Sequence, residues 1–183
     1  MSPTNGHVLW HVTMSLDGFI AGPDHAMEWV FEHSGPSRVA EEVMHSTGAI
    51  LGGRGWYEAA KRYKGRQGIY GGAWSGPVFV LTHRPPENPD DKEITFLSDG
   101  VGDAVATALA AADGKNVEVF GANVARQCLD AGLLDEIVIH LAPVLLGDGI
   151  RLHGGAGVGR VDLERTELAE AGQLTDLRFR VEK

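Results

Sequence analysis

Residues 117–149, VEVFGANVARQCLDAGLLDEIVIHLAPVLLGDG, constrain the fold of this chain more than any other stretch. Val117, Val119 and Phe120 form a short β-branched and aromatic run, Gly121 breaks it, and residues 122–131 then take up a helical pattern. A second apolar run at 137–142 ends at Pro143, with a glycine turn at 147–149. Strand, glycine turn, helix and strand in that order place the start of a helix at a strand end. The first amides of a helix lack intrahelical partners and carry the positive end of its dipole, so a phosphate set against Gly121, Ala122, Asn123 and Val124 is held without a lysine. A plain strand-to-helix turn explains the same residues, because the chain has no G-x-G-x-x-G fingerprint.

The rest of the chain continues the alternation. Residues 8–14 (VLWHVTM) read as a strand, and 15–24 (SLDGFIAGPD) as a loop whose apolar tip is Phe19 and Ile20. Residues 28–33 suit a short helical turn. Residues 37–46 suit a helix with the stripe Val39, Ala40, Val43 and Met44. A buried strand at 49–51 runs into Gly52-Gly53-Arg54-Gly55, and 56–63 reads as a brief helix. The glycine-rich residues 65–76, with Tyr70 and Trp74, form a long loop that is either a lid or a flexible connection. Strands at 78–81 and 94–97, a helix at 101–112 and two amphipathic strands at 163–170 and 177–181 complete the order. The expected architecture is α/β, with a mostly parallel twisted sheet flanked by helices in three layers and closed by an antiparallel C-terminal pair.

Composition narrows the function. A chain of 183 residues, 43% hydrophobic, is the size of one domain spanning 1–183. Sixteen Lys and Arg against 25 Asp and Glu give a net charge of −9, which disfavours a broad nucleic-acid or anionic-membrane surface. The single cysteine, Cys128, has no disulfide partner in the chain and fits a reducing cytoplasm. The opening SPTNGH is unlike a signal peptide, and no apolar run reaches roughly 18 residues, so a soluble protein is expected. His11, His25, His33, His45, His140 and His153 lack metal-ligand spacing, and no metal is expected. No G-x-S-x-G elbow supports hydrolase chemistry.

Ligands of open α/β sheets bind beyond the strand C-termini. Three groups of residues fall at such ends: Gly53-Arg54-Gly55, Thr82-His83-Arg84 and Gly121-Ala122-Asn123. Arg54 and Arg84 supply guanidinium forks for a phosphate, and the tripeptide Thr82-His83-Arg84 offers a hydroxyl and a cation to the 2′-phosphate that distinguishes NADP from NAD. Either arginine could equally be a solvated strand-end charge.

Four segments, SLDGFIAGPD, ILGGRGWYE, VFVLTHRP and VFGANVARQCLDAGLLDEI, resemble in this order the dihydrofolate reductase-like proteins. The likeness is to the bacterial branch related to the reductase domain of the riboflavin-biosynthesis deaminase/reductase. It runs from about Val8 to Phe179. It implies an NADPH-dependent reductase acting on a pteridine-like or pyrimidine-like heterocycle, with hydride passing from the nicotinamide to an imine-like or opened-sugar carbon. It places the nicotinamide at Thr13, Ile20 and Ala21, the G-R motif at Gly53 and Arg54, and the pyrophosphate at Gly121, Ala122, Asn123 and Val124. It also implies a homodimer. A nucleotide-binding dimer of the same fold without turnover is the alternative.

Three departures touch function. Trp56 stands where dihydrofolate reductases usually have a phosphate-binding threonine, and Phe120 replaces one of two late glycines. No residue aligns cleanly with the acid of the first helix that bonds the pterin, and Glu28 and Asp24 are the candidate proton donors, with Glu32 nearby. Asp17 reads as a turn cap. Trp29 and Trp74 suit either substrate stacking or the core.

Overall fold

In the computed structural model, which describes residues 6–183, the chain forms ten strands and five α-helices. In chain order they are β1 (Val8–Ser15), β2 (Phe19–Ala21), α1 (Glu28–His33), α2 (Arg38–Ser46), β3 (Thr47–Gly53), α3 (Arg54–Ala60), β4 (Val78–Leu81) and β5 (Ile94–Leu97). There follow α4 (Val101–Ala111), β6 (Asn116–Phe120), α5 (Ala122–Asp130), β7 (Glu136–Ala142), β8 (Ile150–Arg151), β9 (Leu163–Ala171) and β10 (Leu174–Val181). Eight strands make one sheet in the order β5-β4-β3-β6-β1-β7-β10-β9. The pairs from β5 to β7 are parallel, while β10 runs antiparallel to both β7 and β9. The N-terminal segment read as unlike a signal peptide lies mostly in residues 1–5, outside the described residues.

The strand period of two sorts β1 between two cores. Trp10 and Val8 pack with Val117, Val119 and Ile137 against Ala104, Val105 and Ala108 of α4 and Val124, Ala125 and Cys128 of α5. Leu9 turns to the opposite face, where it meets Val138 and the Val39 and Val43 stripe of α2. Further along that face Ile50, Val78 and Val80 bury against Tyr57 of α3, Ile69 and Trp74. Each fully buried Leu, Ile or Val in these layers contributes about 1.5–3 kcal/mol by leaving water. Apolar burial on both faces is why the central strands read as near-continuous hydrophobic runs.

Two expected loops are more ordered than their composition suggests. Phe19 and Ile20 are no exposed tip: Phe19–Ala21 pairs antiparallel with β8, and Phe19 is buried, leaving Leu16 as the exposed apolar residue there at 63%. The pairing is held from below by Asp17, whose carboxylate accepts from the amides of Leu146 at 3.1 Å and Gly147 at 2.7 Å and from Ser15 Oγ at 2.6 Å. These donors, led by the Ser15 hydroxyl, lower the Asp17 pKa to about 2, so Asp17 staples two loops. Residues 65–76 fold into tight 3₁₀ turns over Gly65–Gly72 that seat Ile69 in the core. Trp29 and Trp74 are both buried, their indole N–H groups donating to the carbonyls of Ala26 and Thr47, so neither is free to stack on a ligand. No helix among the described residues is long and apolar enough to cross a membrane.

Candidate active site

A cleft of about 1000 Å³ opens at the C-terminal edge of the parallel strands. Parallel pairing brings the ends of β3, β4 and β6 side by side, so three groups spread over residues 53–123 become one wall. Gly53, Arg54 and Gly55, Thr82 and His83, and Gly121, Ala122, Asn123 and Val124 all line it, as do Thr13, Ile20 and Ala21. Gly121 is the N-cap of α5 at φ +95, ψ 141, a conformation that strains L-residues, and no side chain among the described residues caps the helix. The first amides of α5 therefore stay available where Ala122, Asn123 and Val124 meet the cleft. Trp10 also lines it, and its buried indole N–H has no partner among the described residues.

Three expected positions fall outside this lining. Arg84 does not line the cleft: its amide donates to Thr82 Oγ1 at 3.1 Å, its carbonyl accepts from Arg54, and its side chain is left in solvent. Only Arg54 of the two arginines faces the cavity, beside Glu58 at 3.3 Å. Asp99, at the end of the neighbouring strand β5, adds an acid to the wall beside Thr82 and His83. Glu28 and Asp24 lie outside the cleft as well. The Glu28 carboxylate accepts from Tyr63 Oη at 2.9 Å, and its own amide together with that hydroxyl lowers its pKa, which suits an ionised helix-start carboxylate rather than a proton donor. Asp24 sits in a left-handed turn at φ 56, with its carbonyl taken by Arg62.

The two aromatic departures account for one another. Trp56 and Phe120 meet edge to face with ring centroids 5.2 Å apart, and Phe120 lies opposite Gly52 in the β3–β6 register. A Cβ on Gly52 would come within 2.3 Å of Trp56 Cε3, so the glycine makes room for the indole. At Gly121 the same test meets only Trp56 Cβ at 3.5 Å, an ordinary contact. Phe120 thus packs on Trp56 and leaves the Gly121 turn open.

Beneath the cleft runs a buried polar chain across four adjacent strands, all on the face opposite α4 and α5. Glu118 of β6 accepts from Tyr70 Oη at 3.0 and 2.9 Å, Tyr70 Oη lies 2.6 Å from His11 Nδ1, and His11 Nε2 lies 2.5 Å from His140 Nε2. His140 Nδ1 is 2.5 Å from Asp176 Oδ1, whose other oxygen accepts from Ser37 Oγ, the N-cap of α2, at 2.6 Å. Thr47 Oγ1 closes the opposite end, 3.1 Å from Glu118 Oε2. Tyr70, His11, Glu118 and His140 line the cleft. Burial and the Glu118 carboxylate raise the Tyr70 pKa far above that of a free phenol, so it stays a neutral hydroxyl. For His140 burial and the adjacent His11 outweigh Asp176 and lower the pKa.

These residues are not singled out by spacing. The signal is that Glu118, His11 and His140 each interrupt an apolar strand run, in VEVF, VLWHVT and IVIHLA, which recasts histidines that seem scattered along the sequence. Tyr70 could not be placed by pattern, because its φ of 50° in a glycine-rich segment brings it back over the sheet. A non-glycine residue held there stores about 1–3 kcal/mol that surrounding contacts must offset.

Residues 6–175 match the family model of the RibD C-terminal domain. YwjB of Bacillus subtilis strain 168 is 26% identical over 151 residues, covering 78% of this chain and 79% of that protein. Among solved structures, a putative riboflavin biosynthesis protein from Shewanella sp. PV-4 superposes with a TM-score of 0.81 at 21% identity, over 97% of this chain and 99% of that one. Dihydrofolate reductase of Enterococcus faecalis, solved with NADP(H) and RAB-propyl, superposes with a TM-score of 0.61 at 13% identity, over 98% of each chain. At such identities the two superpositions establish a shared, dihydrofolate reductase-like fold.

Proposed function

The chain belongs to the family of the RibD C-terminal domain, and from that premise we propose that it is an NADPH-dependent reductase of a pteridine-like or pyrimidine-like compound. The observation that carries the proposal is the single cleft joining three strand ends, with a guanidinium at Arg54 and uncapped helix amides at Ala122 to Val124. This donor set suits a dinucleotide, since amides at a helix start bind the pyrophosphate and a guanidinium fork binds a further phosphate. Thr13 and, from the β2–β8 ribbon itself, Ile20 and Ala21 line the part of the cleft where the family likeness puts the nicotinamide, and the ribbon would shield that ring from water. When bound, the nicotinamide supplies a hydride. The protein's own part is to hold two flat rings face to face, exclude water and supply a proton.

Titration of the purified protein with NADPH and with NADH tests the cofactor. Preferential binding of NADPH is expected, and Arg54→Ala should weaken it about tenfold or more, the worth of a charge-assisted hydrogen bond. Equal weak binding of both nucleotides, or of neither, refutes the cofactor assignment, and the acid Asp99 beside Thr82 and His83 makes the comparison with NADH discriminating. NADPH binding without oxidation across a panel of pterins and aminopyrimidines would instead favour the nucleotide-binding module. We also propose a homodimer, which sedimentation equilibrium checks.

A further inference from the structure

The buried chain from Glu118 to Asp176 carries a count of hydrogens. Its links Glu118–Tyr70, Tyr70–His11, His11–His140 and His140–Asp176 are four hydrogen bonds, each needing one hydrogen. One tyrosine hydroxyl and two neutral imidazoles between two ionised carboxylates supply three. With only three, one pair of facing atoms is left as two lone pairs, at 2.5 Å in the case of the two Nε2 atoms. A fourth hydrogen completes the chain, and two of the ways of placing it bring it to Tyr70. Glu118 carries it and donates to Tyr70, which donates to His11; or His11 is an imidazolium that donates to Tyr70 and to His140 while Glu118 is ionised. The two arrangements hold the same number of protons and interconvert when the hydrogens between Glu118 and His11 each move along one bond.

Two further observations favour the occupied state. The side chains of Glu118 and Asp176 are each only 1% exposed, and the ion partners the structure gives them are His11 and His140 rather than an arginine or lysine. Buried polar groups are costly when a hydrogen-bond link is left unfilled, and the fourth hydrogen leaves no unfilled link along the chain. His140, whose pKa is lowered, suits the neutral link in both arrangements.

We propose that this chain stores the proton that completes the reduction and that the Tyr70 hydroxyl hands it to the substrate. The inference rests on the reductase reading. As hydride adds to the carbon of a substrate C=N bond, the π electron pair moves to nitrogen, and that nitrogen takes the hydrogen of Tyr70 Oη. Tyr70 is refilled by the hydrogen from His11 Nδ1 or from Glu118, leaving neutral histidines, two carboxylates and one proton fewer, which solvent restores. Substrate, reduced nicotinamide and one proton give reduced substrate and oxidised nicotinamide, so atoms and charge balance. Tyr70 is the handing group because it lines the cleft and lies at the junction of Glu118 and His11.

The stored proton is read first on the protein alone. Nitrogen-15 spectra of histidine-labelled protein report the hydrogens on His11 and His140, and the infrared carboxyl band, compared with Glu118→Gln, reports a protonated Glu118. At neutral pH an imidazolium in the pair or a protonated Glu118 is expected; two neutral histidines with both carboxylates ionised overturn the proposal whatever the protein reduces. Turnover gives the second reading. Glu118→Gln keeps the chain filled, since the amide donates permanently to Tyr70, but it cannot release that hydrogen. It should bind NADPH as the parent does and lose turnover about 100-fold, with the alkaline fall in rate abolished. Should that variant not fold, Tyr70→Phe and Asp176→Asn serve instead. The first should lose turnover similarly, and the second should move the alkaline limb to lower pH because a charge favouring the proton is gone. Parent-like turnover and pH profile in the variants overturn the proposal. A protein that carries the proton yet oxidises no NADPH would show the reductase reading to have failed.

Discussion

Replacing Gly121 by alanine isolates the conformation on which the phosphate-binding wall depends. At φ +95 and ψ 141 the residue occupies a region that L-amino acids enter at about 1–3 kcal/mol. The added methyl itself meets only Trp56 Cβ at 3.5 Å, so no steric term is added. Alanine also narrows the unfolded ensemble, which returns about 0.4–1 kcal/mol. The net expectation is a loss of about 1–2 kcal/mol in urea-denaturation free energy, or a fall in Tm of about 2–8 °C for a chain of this size. Gly102→Ala is the internal control. Gly102 is an exposed residue of α4, has no heavy atom within 4 Å of an added Cβ and no positive φ, so there the same substitution should stabilise by about 0.5–1 kcal/mol. Relief of the strain by rotation of the Gly121–Ala122 peptide would turn an amide from the cleft, so NADPH affinity should fall with stability. If Gly121→Ala matches Gly102→Ala in denaturation, the positive φ is not an obligatory feature of the folded state and the argument for an open amide cradle fails.

Asp17→Asn should destabilise the protein at neutral pH. The folded pKa of Asp17 is depressed to about 2, so its contribution is fully present above its unfolded value and is lost as pH falls through the folded one. Denaturation curves of parent and variant should accordingly converge between about pH 4 and pH 2. A double-mutant cycle on Trp56→Ala and Phe120→Ala should return a coupling of about 0.5–1.5 kcal/mol, and additivity would show that the two side chains do not support each other. Cys128, fully buried in α5, has its thiol pKa pushed up to about 12 by burial. Alkylation near pH 8 should therefore be negligible until denaturant is added, and prompt labelling of the native protein would contradict the packing of α5.

Much of the fold is legible locally because its elements carry their own period and punctuation. Residues 78–81 and 94–97 coincide with β4 and β5, and the glycine at 121 marks the start of α5 to the residue. Element ends shift where tertiary pairing extends them. β3 begins at Thr47 and runs to Gly53 because its neighbours β4 and β6 hydrogen-bond residues that a pattern reading leaves in turns. The β2–β8 ribbon was hidden for the same reason, since three residues and two residues have too little period to announce the pairing of Phe19 with Arg151 and of Ala21 with Ile150.

The sequence alone determined an α/β chain of alternating strands and helices, a family likeness, and three strand-end groups, because hydrophobic period, glycine position and segment order are local properties. Only the tertiary structure decided which polar residues act together. It turned Arg84 away, left Glu28 and Asp24 outside the cleft, and joined Glu118, Tyr70, His11, His140 and Asp176 into one buried chain. The physical reason is that strand order is not chain order: β6, β1, β7 and β10 are neighbours in the sheet, and polar side chains isolated in separate apolar runs find partners only once those strands lie side by side.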